Sequence, residues 1–175
     1  DVGGGMKSEI VAARASELDP SAKVSALVGR VQDLDVWDYD IILGCLDNVA
    51  ARLHLNSHAC YHGIPYVDGA TEGFRGKVQT VLPGGPCLQC TMNRSHARVA
   101  DIRFSCTGNS TGFVPRTAAD VTTTAVVAAM QVREAIKIAS GKMEMCIKHV
   151  TYYDGESNES FTLESGIGGD CVNHG

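Results

Sequence analysis

Apolar positions in the middle of the chain alternate between strand-like runs and helix-like spacing. Residues 41–43 form a continuous apolar run, which is typical of a strand covered on both faces in a parallel sheet. Residues 49–62 have the spacing of a helix that Gly63 ends, and residues 65–73 then supply another strand. This order predicts a strand–helix–strand unit.

Upstream of this unit the pattern predicts one helix and one strand. Residues 7–18 are rich in Ala, Glu and Arg, and the helix ends at Asp19 because Pro20 disfavours helical geometry for the residue before it. A strand is predicted at about residues 23–31, where apolar side chains recur in a short segment.

Downstream, the alternating residues 77–82 predict a strand antiparallel to the others, ending in the Pro-Gly-Gly-Pro turn at residues 83–86. Two further β-like segments, residues 147–155 and 160–165, follow a long helix at about residues 117–140. The apolar positions of that helix are expected to pack on the sheet; they are Ala118, Val121, Ala125, Ala129, Val132, Ile136 and Ala139.

The alternation of strands and helices predicts the fold class. We expect a doubly wound α/β domain, a single one over residues 1–175, with a mostly parallel sheet and an antiparallel extension. Ligands of such sheets bind beyond the carboxyl ends of the strands. Asp47 and residues 68–73 fall there in this sequence.

Composition narrows the functional classes. The chain is 44% hydrophobic and 20% charged, as a globular domain is, and its net charge of −5 comes without any basic run that could follow a phosphate backbone. No nucleic-acid partner is therefore expected. No membrane partner is expected either, because no apolar run reaches the roughly 20 residues of a transmembrane helix. Seven cysteines, an odd number, fit a reducing cytoplasm.

Two short pairs of metal-ligand residues predict a zinc site. Cys87 and Cys90 are separated by two residues, and so are Cys171 and His174. Zn²⁺ prefers four such ligands in a tetrahedron, and this spacing lets one turn direct both members of a pair at one ion. The alternative is a redox pair at Cys87 and Cys90, with the other two residues in an uninvolved tail.

Asp47 follows the apolar strand directly and has two possible roles. A carboxylate at the carboxyl end of a strand can hold Mg²⁺ on the phosphates of a nucleotide. Alternatively, Asp47 or Asn48 caps the helix that begins next.

The remaining cysteines and histidines are given structural roles. Cys45, Cys60 and Cys146 lie in predicted core elements, where cysteine behaves as a small hydrophobic residue. Three histidines recur every four residues on one face of the helix at residues 49–62, which predicts a solvated helix side, with a polar or metal-binding face as the alternative; they are His54, His58 and His62.

Four segments of the chain together resemble the ThiF/MoeB family, which includes the adenylation domains of ubiquitin-activating enzymes. They are DVGGGMK at residues 1–7, DIILGCLDNVAARLHLN at 40–56, GIPYVDGATEGFRGKVQTVLPGGPCLQC at 63–90, and SCTGN at 105–109 before the long helix. The resemblance implies the C-terminal two-thirds of an adenylyltransferase. Such enzymes activate the C-terminal glycine of a ubiquitin-like or sulfur-carrier protein with ATP, as homodimers or two-subunit assemblies.

The resemblance also implies roles for individual residues. Asp47 matches the aspartate that binds Mg²⁺ and ATP, with Asn48 and Arg52 beside it, and Lys7 resembles the lysine that contacts the phosphates. The chain departs from the family by having three residues rather than the usual two between Gly3 and Lys7.

Cys106 falls where many members of the family carry a cysteine that forms a thioester or disulfide with the activated carrier protein. The alternative for Cys106 is a loop thiol without chemistry, because members that lack this cysteine also adenylate their carriers. The four-ligand zinc site is expected to be structural, since no position remains open for substrate.

The glycine-rich nucleotide loop of the family, with its arginines, precedes the DVG motif and is not in this sequence. We therefore expect the chain as given to be incomplete and not to catalyse alone. A non-catalytic, zinc-stabilised carrier-docking subunit or fragment is the alternative. A nicotinamide-dependent dehydrogenase is less favoured, because the first βα turn and an acidic residue for the ribose are both absent.

Overall fold

The chain divides into two compact units, Asp1–Val36 and Trp37–Gly175. The computed structural model describes residues 5–34, 37–92 and 118–174. The prediction of a single domain over residues 1–175 stays a prediction.

The first unit contains the predicted helix but not the predicted strand. Helix α1 spans Lys7–Leu18, and Asp19 then accepts hydrogen bonds from the backbone N–H and the hydroxyl of Ser21, at 3.0 and 2.6 Å, which forms the turn after the helix. The strand expected at residues 23–31 is wrong: this segment joins no sheet and leads into a single 3₁₀ turn, Val31–Asp33. A strand needs a partner for its backbone hydrogen bonds, and none of the described strands pairs with this segment.

The second unit is built on a five-stranded sheet whose spatial order equals the chain order. Its strands are β1 (Ile42–Gly44), β2 (Tyr66–Glu72), β3 (Arg75–Val81), β4 (Val150–Asp154) and β5 (Glu159–Leu163). The strands predicted around residues 41–43, 65–73, 77–82, 147–155 and 160–165 are all confirmed.

The sheet is mixed rather than mostly parallel, which corrects the prediction for the described residues. β1 and β2 are parallel, whereas β2–β3, β3–β4 and β4–β5 are antiparallel. The connections explain much of the difference. A whole helix joins β1 to β2, but β2 and β3 are joined by a tight turn at Gly73 and Phe74, and a short turn can only reverse the chain. The doubly wound arrangement stays a prediction.

Three helices of the described residues accompany the sheet: α2 (Val49–His62), α3 (Leu88–Thr91) and α4 (Val121–Ala139). The ends of α2 are those that the sequence predicts, because Asn48 caps its start and Gly63 ends it with a φ of 66°. Among the described helices, none combines the length and the apolar character needed to cross a membrane.

Helix α4 buries a different face from the one expected. Val121, Val132 and Ile136, assigned to the sheet-facing side, are 77%, 51% and 60% exposed. The buried residues are mostly polar or β-branched; they are Thr123, Val127, Gln131, Glu134 and Ile138. Polar side chains are buried there because they bond to the sheet and its flanking loop: Gln131 Nε2 donates to two strand carbonyls, and Glu134 accepts from the Ile147 N–H at 2.7 Å.

The apolar core lies between the sheet and α4. Val67, Val78, Val127, Ile138 and Cys146 form its buried cluster. The core role predicted for Cys146 is thus confirmed, while that of Cys45 is wrong: β1 ends at Gly44, and Cys45 is exposed.

Candidate functional site

The first candidate site lies at the carboxyl end of β1. Gly44, the last residue of this strand, pairs with Asp68 in β2, and the chain then runs through the exposed Asp47 into α2. The carbonyl oxygen of the Asn48 side chain accepts hydrogen bonds from the N–H groups of Ala50 and Ala51, at 2.9 and 3.2 Å. The helix cap is therefore Asn48, and the exposed Asp47 stands between the end of β1 and this cap.

A buried ion pair ties α2 to the sheet. Arg52, one turn into α2, donates from Nε to Asp68 Oδ1 at 2.9 Å and from Nη2 to Asp68 Oδ2, so the two groups form a bidentate pair. The Tyr66 hydroxyl donates to the same Oδ1 at 2.8 Å. Because the Asp68 side chain is fully buried and that of Arg52 only 10% exposed, the pair fixes the start of α2 and hence the turn that holds Asp47.

The pKa directions around Asp68 follow from burial and charge. Burial tends to lower the pKa of Arg52, but the Asp68 carboxylate outweighs it and the net shift is upward. Burial, reinforced by the negative charge of Asp68, raises the pKa of Tyr66, which keeps its hydroxyl a donor. Burial and the positive charge of Arg52 lower the pKa of Lys77, against the attraction of Asp68. The cluster therefore contains one carboxylate that compensates more than one cation.

Two glycines let other groups approach the strand ends closely. A Cβ added at Gly44 would lie 2.3 Å from the Tyr66 hydroxyl oxygen, and one added at Gly69 would lie 2.3 Å from Gln131 Oε1. Gln131 Nε2 donates to the carbonyls of Gly44 and Val67, at 2.9 and 3.1 Å, and so ties α4 to both parallel strands. These positions have no room for a side chain.

The structure brings together three of the sequence-predicted nucleotide residues, namely Asp47, Asn48 and Arg52, on one strand end and one helix start. It adds Asp68 and Tyr66, whose roles the sequence reasoning missed. The available signal was a charged residue, Asp68, inside the mainly apolar first part of β2, residues 66–70.

The structure does not test the position of two other predicted residues. Lys7 is the exposed first residue of α1 and belongs to the other unit of the chain. Cys106 lies outside the described residues.

The second candidate site is the predicted metal centre. Its four ligand atoms, from Cys87, Cys90, Cys171 and His174, all lie within 4.8 Å of one another. The Cys87 sulfur is 3.8 Å from that of Cys90 and 3.5 Å from that of Cys171. In each pair a backbone hydrogen bond closes the turn, from the Cys90 N–H to the Cys87 carbonyl at 3.1 Å and from the His174 N–H to the Cys171 carbonyl at 3.0 Å.

The side chains of this centre fit a bound dication. His174 Nε2 is buried and has no hydrogen-bond partner among the described residues, as expected of a nitrogen reserved for a ligand. Hydrogen bonding from Cys60, with help from the Asn173 amide, lowers the pKa of Cys87 against the effect of burial, while burial raises that of Cys171. Neighbouring thiolates repel each other, and a Zn²⁺ ion would remove that repulsion.

Helix α2 supports the metal centre, which the sequence reasoning missed. Asn56 Oδ1 accepts from the Leu88 N–H at 2.8 Å. Interaction with Cys87, together with burial, raises the pKa of Cys60, which lies one turn later. Cys60 therefore borders the centre rather than only filling core space. Its spacing of four from Asn56, which places both residues on one face of α2, was the available signal.

The fold and the two sites define a class of protein. It is a mixed α/β domain with an exposed carboxylate, that of Asp47, between a parallel strand and the next helix, and with a Cys₃His cluster. The ThiF family matches residues 1–166 of the chain. The chain belongs to the ThiF family.

Similar proteins agree with this assignment. The chain is 27% identical to the SAMP-activating enzyme E1 of Haloferax volcanii over 169 residues, covering 94% of this chain and 59% of that protein. It is 34% identical to the sulfur carrier protein ThiS adenylyltransferase of Bacillus subtilis over 98 residues, covering 50% of this chain and 29% of that protein. The chain thus spans less than two thirds of the length of each of these relatives.

The fold is also that of a solved enzyme. The microcin C7 biosynthetic enzyme MccB, in complex with N-formylated MccA, superposes with a TM-score of 0.76 at 13% identity, covering 98% of this chain and 53% of that chain. At this identity the likeness concerns the fold alone.

Proposed function

We propose that this chain is part of an adenylyltransferase that activates the C-terminal glycine of a ubiquitin-like or sulfur-carrier protein with Mg-ATP. The observation that carries the proposal is the exposed Asp47 carboxylate at the carboxyl end of β1, in a chain of the ThiF family. The names of relatives, a SAMP-activating enzyme and a ThiS adenylyltransferase, support the choice of substrate.

In the proposed reaction, a carboxylate oxygen of the carrier's terminal glycine attacks the α-phosphorus of ATP. The P–O bond to pyrophosphate breaks, and the products are an acyl-adenylate and pyrophosphate. Asp47 would hold Mg²⁺, which takes carboxylate, phosphate and water oxygens and neutralises phosphate charge. Asn48 and the Arg52–Asp68 pair fix the turn that carries Asp47, and Lys7 would stabilise charge on the phosphates.

The test is carrier-dependent ATP–pyrophosphate exchange by the full-length protein. Asp47→Ala should lower exchange by roughly a hundredfold or more, because the metal site loses its carboxylate. Asp40→Ala, which removes an exposed carboxylate just before β1, is the matched control and should leave exchange within about twofold. Exchange that survives Asp47→Ala would overturn the assignment. A wild-type protein that binds the carrier without exchange would instead be a docking subunit.

Zn²⁺ is proposed as a structural ion held by Cys87, Cys90, Cys171 and His174. It would connect the end of the chain to its middle and so contribute to folding. Metal analysis of protein purified without chelator should give about one zinc per chain. Cys171→Ser should lower that content, whereas Cys146→Ser, in the apolar core, should not. Zinc-free wild-type protein would refute the assignment.

Cys106 is proposed as the acceptor of the activated carrier. The expected result is that Cys106→Ala retains pyrophosphate exchange and loses a thiol-sensitive covalent adduct in intact mass spectrometry. An adduct that persists in this variant would assign the role to another cysteine.

The proposal includes a homodimer in the cytoplasm. The exposed apolar face of α4, with Val121, Val132 and Ile136, offers surface for a second copy. The six described cysteines form no disulfide, which suits a reducing compartment. Light scattering should give twice the chain mass, and Ile136→Glu should shift it toward the monomer.

A further inference from the structure

The side of α2 that carries three histidines is covered by the only tryptophan of the chain. The Trp37 ring stacks on His58 with 4.2 Å between ring centres and an interplanar angle of 11°. It also lies 6.1 Å from His54 and 6.0 Å from His62. This corrects the expectation of a merely solvated helix side, because His54 and His58 are half-buried and only His62 is exposed.

One nitrogen in this cluster lacks a partner. His54 Nε2 is buried and makes no hydrogen bond within the described residues. A buried polar atom without a partner costs about 1–3 kcal/mol, and a ligand bound to His54 Nε2 would remove that cost. Burial, and to a lesser degree His58, lower the pKa of His54, which keeps its imidazole neutral at physiological pH. A neutral imidazole is the form that binds metal ions.

The geometry of the pair suits a shared ion. His54 and His58 are one turn apart on the same helix face, and their ring centres lie 4.4 Å apart with a tilt of 46°. Two imidazoles that share an ion, each at about 2.1 Å from the metal, have ring centres about 5 Å apart. His58 and His62 are farther apart, with 6.2 Å between ring centres, and their ring planes are nearly parallel.

The stacking with Trp37 leaves ligation possible. An imidazole binds a metal through a lone pair in the plane of its ring, whereas Trp37 contacts the face of His58. The indole therefore fixes the ring of His58 without occupying its nitrogens. In the same way, partner groups hold the rings of metal-binding histidines in place.

We propose that His54 and His58 bind a divalent first-row transition-metal ion through their imidazole nitrogens, with Trp37 orienting the His58 ring. Two protein ligands leave the other coordination positions to water or to a further ligand. The residues differ from those of the Cys₃His centre, so the two sites can be tested separately.

The experiment uses the full, zinc-loaded chain and Ni²⁺ as the probe, followed by the fluorescence of Trp37. Paramagnetic Ni²⁺ bound beside the indole should quench it with a saturable curve. His54→Phe and His58→Phe should each weaken the apparent affinity about tenfold or more, because one of two ligands is lost. The phenyl ring introduced by His58→Phe keeps an aromatic group on Trp37, so a changed stack is not the cause. His62→Phe, on the same face, is the control and should stay within about threefold.

Three results would overturn the proposal: quenching without saturation, unchanged affinity in His54→Phe and His58→Phe, or an equal loss in His62→Phe. Sulfur-to-nickel charge-transfer absorption that rises in step with the quenching would also overturn it, because the ion would then be bound by cysteines. If circular dichroism shows that either variant misfolds, the affinity of the wild-type protein for Ni²⁺ at pH 5.5 tests the proposal instead. Protons compete with Ni²⁺ for both imidazoles, so this affinity should be about tenfold or more lower at pH 5.5 than at pH 7.5. An unchanged affinity would contradict the site.

Discussion

The buried ion pair between Arg52 and Asp68 is the contact whose removal has the largest predicted effect on stability. Asp68→Asn keeps the size of the side chain and one acceptor oxygen, but it removes the negative charge. The Arg52 guanidinium, in a side chain only 10% exposed, would then be buried without a counter-charge. Lys77 would lose the same compensation.

The magnitude follows from this geometry. Breaking a buried ion pair by removing one partner costs about 3–5 kcal/mol, and the amide oxygen that Asp68→Asn retains can still accept from Tyr66 or Arg52. We therefore expect a loss of about 3 kcal/mol in the free energy of unfolding. Typical domains are stable by about 5–15 kcal/mol, so the variant should still fold.

Urea unfolding followed by Trp37 fluorescence and circular dichroism measures this loss. The control is Glu164→Gln, which removes an exposed carboxylate just after β5 and should change stability by less than about 0.5 kcal/mol. Arg52→Met combined with Asp68→Asn should lose at least about 1 kcal/mol less than the sum of the two single changes. Additive effects, or a loss in Asp68→Asn as small as the control's, would refute the reasoning.

Three smaller changes test the rest of the site and α4. Gly44→Ala should destabilise by about 1–3 kcal/mol in urea unfolding, because its Cβ would lie 2.3 Å from the Tyr66 hydroxyl; a neutral result would contradict the close packing. Asn48→Ala should cost about 1 kcal/mol by the same assay and Asn48→Asp much less, since only the first removes the cap of α2. Hydrogen bonds from the Thr122 hydroxyl and from the backbone lower the pKa of Asp120 from its ordinary value of 3.8. The ionised Asp120 therefore stabilises the folded protein fully above pH 3.8, and this stabilisation is lost as the pH falls through the lower pKa of the folded state. Wild-type protein should consequently lose more stability than Asp120→Asn between about pH 4 and pH 2, and equal losses would contradict this assignment.

Much of the local structure follows from the sequence because the signals are themselves local. Pro20 ends α1, and Asn48 and Gly63 bound α2 through interactions with their immediate neighbours along the chain. The apolar run at residues 41–43 predicts β1, but the cover expected on both faces is wrong for the described residues, because Leu43, in the middle of the strand, is exposed. Each half of the Cys₃His cluster was also predictable, since it depends on two residues in one short turn.

Tertiary structure decided the features that depend on partners far apart in sequence. The segment at residues 23–31 has strand-like composition but no described strand to pair with, and the sheet is mixed partly because short turns, rather than helices, join β2 to β3 and β4 to β5. The face of α4 was set by hydrogen bonds from Gln131 to two strand carbonyls, which an apolar periodicity does not reveal. Only the folded chain pairs Arg52 with Asp68 and places Trp37 on His58, because such pairings depend on which surfaces meet after the elements have formed.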